Sequence, residues 1–323
     1  MEPGLVILQS DRPERIALSC GGANRIVSIF YEGAWEDLLT QAGTIVLSQE
    51  FHIHSYSTDP THDSLQEQRE ALIEALRKAG KRWNPKDSST QLYLIHGKSK
   101  VYAGIDLAGT DLGKRPYKAY QRQPPLRGPL GWALWQCLGV SPNQKVWCPS
   151  ILDGTVPIEA ALIQAGISPW RYSLHSWASA LSNEARKNLG EGNICACGIY
   201  AWSDQWPHIS ATKANAKLAG VAKGITFSKN TIGWADLKFE EKSFDLIGAH
   251  VVGASAHHPY AERHFEELCR QAAYLLHDGG KMGLISTSLV GFSAAAARHG
   301  LRKTDSQIWW MGKQDLSVEI CQK

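Results

Sequence analysis

Three groups of residues carry types and spacings that could do chemistry. The first is the run Cys148-Pro-Ser-Ile-Leu-Asp-Gly-Thr155, which continues as Val156-Pro-Ile-Glu-Ala-Ala-Leu-Ile163. It follows a short apolar stretch and opens a helical one, the setting of a nucleotide-type cofactor loop. Such loops use several glycines to take positive φ and to let backbone approach a ligand. Here Gly154 stands alone. The second group is basic: Lys114, Arg115, Lys118, Arg122 and Arg127, interleaved with Pro116, Pro124, Pro125 and Pro129 and opposed only by Asp111. That composition fits a solvated connector or a strap on phosphates. The third is His250, His257, His258 and His264 with Cys269. Their spacing matches no tight zinc pattern, so structural or surface roles are expected and no metal. The seven cysteines are scattered, and Cys195-Ala-Cys197 is not a zinc-knuckle spacing, so reduced thiols in a cytoplasmic protein are expected. No G-x-S-x-G elbow supports nucleophilic serine chemistry.

These groups need elements to position them. Hydrophobic residues make up 43% of the 323 and charged residues 20%, ordinary values for a globular chain able to bury a large core. The net charge of +3 permits RNA binding without arguing for it, and no run of about 18 apolar residues spans a membrane. Residues 1–110 read as a small α+β domain. Thr44 to Ser55 forms a strand. Ser64 to Ala79 forms a helix with a Ser64/Glu67 capping box, an apolar face of Leu65, Leu72, Ile73 and Leu76, and a stop at Gly80. Gln91 to His96 and Val101 to Leu107 pair as a hairpin. Residues 111–129 are the basic connector. From 130 to 323 the pattern alternates. Helices are expected at Leu130 to Leu138, Val156 to Ala165 (N-capped by Thr155), Ile209 to Ala219 and Tyr260 to Leu276. Strands are expected at Lys145 to Cys148, Asn193 to Tyr200, Phe244 to Ala249 and Lys281 to Ser286. A closing hairpin follows around Gly312. This predicts an α/β, doubly wound sheet.

Several segments in this order resemble the THUMP-containing RNA methyltransferases that modify guanosine N2 in tRNA and 23S rRNA. Gly154-Thr-Val-Pro-Ile-Glu-Ala-Ala-Leu162 is similar to that family's G-T-I-P-I-E-A-A-L. Gly109-Thr-Asp-Leu-Gly-Lys-Arg-Pro-Tyr-Lys118 resembles its R-G-Y-R segment. Pro125-Leu-Arg127 resembles its A-P-L-R, and Ala214-Asn-Ala-Lys-Leu-Ala-Gly-Val221 its N-A-x-x-A-G-V. Phe244-Asp-Leu-Ile247 and Asp278-Gly-Gly280 also fit. The resemblance implies a THUMP/ferredoxin-like front, then a Rossmann-like domain using S-adenosylmethionine. It implies cofactor contacts from Pro125, Leu126, Pro149, Asp153, Gly154 and Thr155, and RNA contacts from Lys114, Arg115, Lys118, Arg122 and Arg127.

The same comparison shows departures, all in one place. The family loop D-P-M-C-G-S-G-T has lost its leading acid to Cys148 and its first glycine to Leu152, whose side chain is expected to fill the ligand's space. The ribose-binding acid falls between Ser203 and Gln205, where Asp204 serves after a one-residue shift. The acid facing the adenine amino group falls at Gly233. The catalytic N-P-P-Y, which holds a flipped base, aligns with His250-Val-Val-Gly253. In a second alignment it corresponds to His257-His-Pro259-Tyr260. Glu159 reads as a surface or cap-region residue. An RNA-binding protein with a retired catalytic site is therefore expected. Alternatives are a divergent active guanosine-N2 methyltransferase and a protein-interaction subunit that pairs with an active one.

Overall fold

The computed structural model describes residues 5–11, 19–45, 47, 49–58, 64–86, 90–108, 110–170, 193–194, 198–252, 261–312 and 314–323. They fall in two compact units, one built mainly on residues 24–112 and the other on 113–323 with 19–23.

The first unit runs β1 (Val27–Gly33), α1 (Trp35–Thr40), β2 (Glu50–Ser57), α2 (Leu65–Lys78), β3 (Arg82–Trp83), β4 (Thr90–His96) and β5 (Val101–Asp106). The sheet order is β1-β5-β4-β2-β3, with β2 parallel to β3 and β4 and the other pairs antiparallel. Leu72, Ile73 and Leu76 of α2 pack with Phe51, Ile53, Leu92 and Leu94 in one core. The expected helix and hairpin are present, and Gly80 ends α2 at φ 83°. The capping box is not formed. Ser64 has φ −91° and ψ 10°, outside the extended region that capping residues use, and makes no side-chain cap bond. The expected strand at 44 begins only at Glu50, since 42–44 close a 3₁₀ turn.

The second unit contains α3 (Gly128–Leu138), β6 (Lys145–Cys148), α4 (Thr155–Ala165), β7 (Gly198–Ser203), α5 (Trp206–Leu218), β8 (Ile225–Lys229), α6 (Ala235–Lys238), β9 (Phe244–His250), α7 (Ala261–Leu275), β10 (Leu276–Ser286), α8 (Phe292–Arg298), β11 (Arg302–Met311) and β12 (Gln314–Gln322). Its sheet order is β11-β12-β10-β9-β6-β7-β8. The strands from β10 to β8 are parallel, and β12 and β11 close the edge antiparallel. This is a Rossmann-like sheet. Consecutive strands β6, β7 and β8 run outward on one side, whereas β9 returns to the other side of β6. The reversal leaves a crevice beyond the carboxyl ends of β6 and β9, the place where open α/β sheets take ligands. α4 is buried almost all round, ten of its eleven residues being buried, so its apolar sequence serves as the inner layer under the sheet. Trp135 of α3 packs closely on the sheet at Gly248, where an added Cβ would come within 2.4 Å of the indole.

Candidate functional site

The loop after β6 turns sharply into α4. Leu152 takes φ 40° and Gly154 φ 87°. The leucine therefore adopts the positive φ for which the family uses glycine, with its side chain buried. Gly154 is required for a second reason: a Cβ would lie 2.6 Å from Thr212 Cγ2 on α5. Gly154, not Thr155, holds the N-cap position of α4. Asp153 supplies the side-chain acceptor instead. Its Oδ1 takes hydrogen bonds from Thr155 N at 3.1 Å and Thr155 Oγ1 at 2.7 Å. Its Oδ2 lies 2.8 Å from Lys118 Nζ. The carboxylate thus satisfies the start of α4, where orphan N–H groups and the helix dipole favour an anion, and both residues of the ion pair are nearly enclosed.

The 113–127 segment is solvated only in part: Arg115, Tyr117 and Leu126 are buried in this unit, whereas Pro116, Ala119 and Gln121 are exposed. Lys118 Nζ also donates to the Leu126 carbonyl, which accepts from Thr155 Oγ1 at 3.4 Å as well. Arg115 is deeper. Its Nε donates to Glu159 Oε1 at 2.6 Å and its Nη2 to Oε2 at 3.1 Å and to the Gly21 carbonyl at 2.5 Å. Its guanidinium lies 4.4 Å from the centre of the Trp170 ring. Tyr117 Oη donates to Glu159 Oε1 at 2.7 Å, and burial, then the Glu159 charge, push that phenol well above its usual range. The expectation of phosphate contacts from Arg115 and Lys118 does not hold, because both charges are spent inside the protein. Glu159 is not a surface residue; its side chain is fully enclosed. Lys114 is exposed, and Arg122 and Arg127 are half-buried.

Asn215 ties these pieces together. Its Oδ1 accepts from Tyr120 N at 3.0 Å, and its Nδ2 donates to the carbonyls of Tyr120 and Asp153, each at 2.8 Å. The sequence marks this asparagine only as part of a helix motif. A buried amide opposite two loops has no periodic signal.

At the carboxyl end of β9, His250 is buried and its carbonyl accepts from Ser150 Oγ at 3.0 Å. Burial lowers its pKa to about 4; the Asp153 charge raises it and the Lys118 charge lowers it. His250 is a neutral imidazole at neutral pH, beside an ion pair. Pro149 is buried and Pro125 half-buried at the same crevice. Cys148 is enclosed, and burial raises its thiol well above the usual range, so it is no nucleophile. Pro259 and Tyr260 lie outside the described residues. At the end of β7, Asp204 is exposed, next to Ser203, whose Oγ accepts from Gln205 N at 3.1 Å. At Gly233 an added Cβ would stand 3.1 Å from Glu267 Oε1, so a carboxylate from α7 reaches the position left without an acid. That carboxylate is held by Arg270, which also pairs with Asp236. Among the described residues no three His, Cys, Asp or Glu side chains converge as metal ligands, and no helix is long and apolar enough to cross a membrane.

Residues 115–313 match the family described as "RMKL-like, methyltransferase domain". The chain belongs to this family. It is 24% identical over 315 residues to the Ribosomal RNA large subunit methyltransferase K/L of Ectopseudomonas mendocina (strain ymp), covering 87% of this chain and 41% of that protein. The chain spans 22% to 41% of the length of the first curated relatives it matches. Among solved structures it is similar to TrmN from Thermus thermophilus, with TM-score 0.71, 18% identity, and 95% and 85% of the two chains covered. It is similar in the same way to the structure described as "SMU.472, a putative methyltransferase complexed with SAH" (TM-score 0.71, 15% identity, 95% and 87% covered). At these identities the likeness is one of fold, and it includes the Rossmann-like methyltransferase sheet.

At the carboxyl end of β7 the exposed Asp204 carboxylate would be open to a ribose hydroxyl. A ligand carboxylate brought to the start of α4 would find the Thr155 N–H bonded to Asp153 and the Lys118 cation already paired with it. A ligand carboxylate there would compete with a covalently attached one, and burying a second like charge beside Asp153 is costly. Asp153 and Lys118 as they stand do not fit a ligand carboxylate at that point.

Proposed function

We propose that this chain is an RNA-binding member of the methyltransferase family that has given up methyl transfer with the family's own residues. The single observation that carries this reading is the Asp153 carboxylate, bonded to the start of α4 and to Lys118 where a cofactor's charged end would bind. His250 supports it: in the first of the two alignments it falls at the family's polar residue, and there it is an enclosed imidazole whose pKa burial lowers to about 4. The names of the relatives support an RNA as partner. A second reading, an active enzyme with a rearranged cofactor site, is favoured by one feature, the exposed Asp204 at the end of β7. Isothermal titration decides between them. No heat of binding with S-adenosylmethionine up to millimolar concentration, together with salt-sensitive binding of tRNA or rRNA fragments, is the expected result. Micromolar cofactor binding overturns the first reading. Absence of RNA binding overturns its RNA half.

A further inference from the structure

The rim of the second unit carries an aromatic and basic cluster around the start of α5. Trp206 is the first residue of that helix and is 60% exposed. Lys229, the last residue of β8, places its Nζ 5.7 Å from the centre of the Trp206 ring. Arg122 donates from Nε to the carbonyl of Pro207, the next residue after the tryptophan, at 3.3 Å. Arg122 belongs to the segment whose Tyr120 backbone is clamped on both sides by Asn215 of α5. The cation and the indole are therefore carried by one rigid assembly. Asp204, exposed two residues before Trp206, adds an acceptor for hydroxyl groups.

An exposed tryptophan alone needs no explanation. An exposed indole with one cation over its ring, a second cation bonded to the backbone of the next residue and a carboxylate two residues before it has the parts of a nucleotide site: an aromatic surface for the base, positive charge for phosphates and an acceptor for ribose. A duplex keeps its base faces inside the stack, so only an unpaired base can use that face. We propose that Trp206, with Lys229 and Arg122, is a stacking platform for an unpaired base of single-stranded RNA whose phosphates lie on the two cations. This rests on the RNA-binding reading above and adds the place and the kind of RNA.

The test measures anisotropy of the full-length chain with a labelled adenine-rich single strand and with a hairpin duplex. Trp206→Ala weakens single-strand binding about tenfold or more, and Trp206→Phe, which keeps a ring to stack on, recovers most of it. That recovery separates lost stacking from lost folding. Trp310→Ala, removing an equally exposed indole on β11, leaves affinity unchanged. Lys229→Ala lowers the salt slope by about one phosphate's worth. If Trp206→Ala binds as the wild type does, or if duplex and single strand bind alike, the platform is overturned while the RNA-binding reading stands. If the wild-type chain binds no RNA, both fall. If Trp206→Ala loses affinity only for free adenosine, the indole serves a small nucleoside and the proposal is overturned.

Discussion

At the scale of single residues the second unit is fixed by buried charges. Glu159, the one charged residue of its helix, accepts from both Arg115 and Tyr117. Removing one partner of a fully buried pair leaves the other charge unpaired, at about 3–5 kcal/mol. Glu159→Ala should lose about that much in urea unfolding, whereas the pair Glu159→Leu with Arg115→Met should recover most of it. The sequence carried this signal faintly: a lone glutamate in a helix apolar on every side needs a partner, and Arg115 lay in the one basic stretch. Basic residues among prolines read as solvated because composition reports charge and not burial. His250 gives a second prediction. Its pKa is about 4 folded and about 6.5 unfolded. Between those values only the unfolded chain takes up the proton. Its contribution is fully present above pH ~6.5 and is lost as pH falls from there toward ~4, by about 3 kcal/mol at most. In His250→Gln the stability-against-pH curve should be flatter over that window; an unchanged slope would show that other groups set it.

At the scale of elements, the loop between β6 and α4 separates what the sequence made legible from what it did not. Its second half, from Gly154, reads correctly as a helix start in a doubly wound sheet. In the first half the family's glycine is replaced by Leu152, whose side chain is expected to fill the ligand's space; the side chain is buried, and the residue still takes φ 40°. Chain direction and packing around α4 impose the turn, and the residue type only changes its cost. Gly154 is different, because φ 87° and Thr212 both exclude a side chain. Gly154→Ala should destabilise by about 2–4 kcal/mol from strain and overpacking together. Adding Thr212→Ser, which deletes the Cγ2 methyl in the way, should return part of that in a double-mutant cycle. Strand and helix bounds slipped by a few residues wherever the cue was propensity. They held where a glycine with positive φ closed an element, as at Gly80, Gly139 and Gly166.

At the scale of the whole molecule the net charge of +3 is too small to hold RNA by itself, so affinity must come from where the cations sit. Five basic residues of the 111–129 segment suggest a strap when counted in sequence. The structure removes Arg115 and Lys118 from the count and brings Lys229, distant in sequence, beside Trp206. Counting Lys114, Arg122, Arg127 and Lys229 as the phosphate contacts, and taking about 0.7 of a counterion per contact on a single strand, the slope of log K against log salt should be about −3. A slope of this size, measured by anisotropy across a salt series, would match the second unit as the main binding surface. A slope beyond about −6 would require as many contacts again, and basic residues of the first unit would then have to share in binding. Lys118→Met sharpens the measurement. Because that ammonium is paired with Asp153, its loss should leave the slope unchanged while lowering stability, the opposite of the pattern expected for Lys229→Ala.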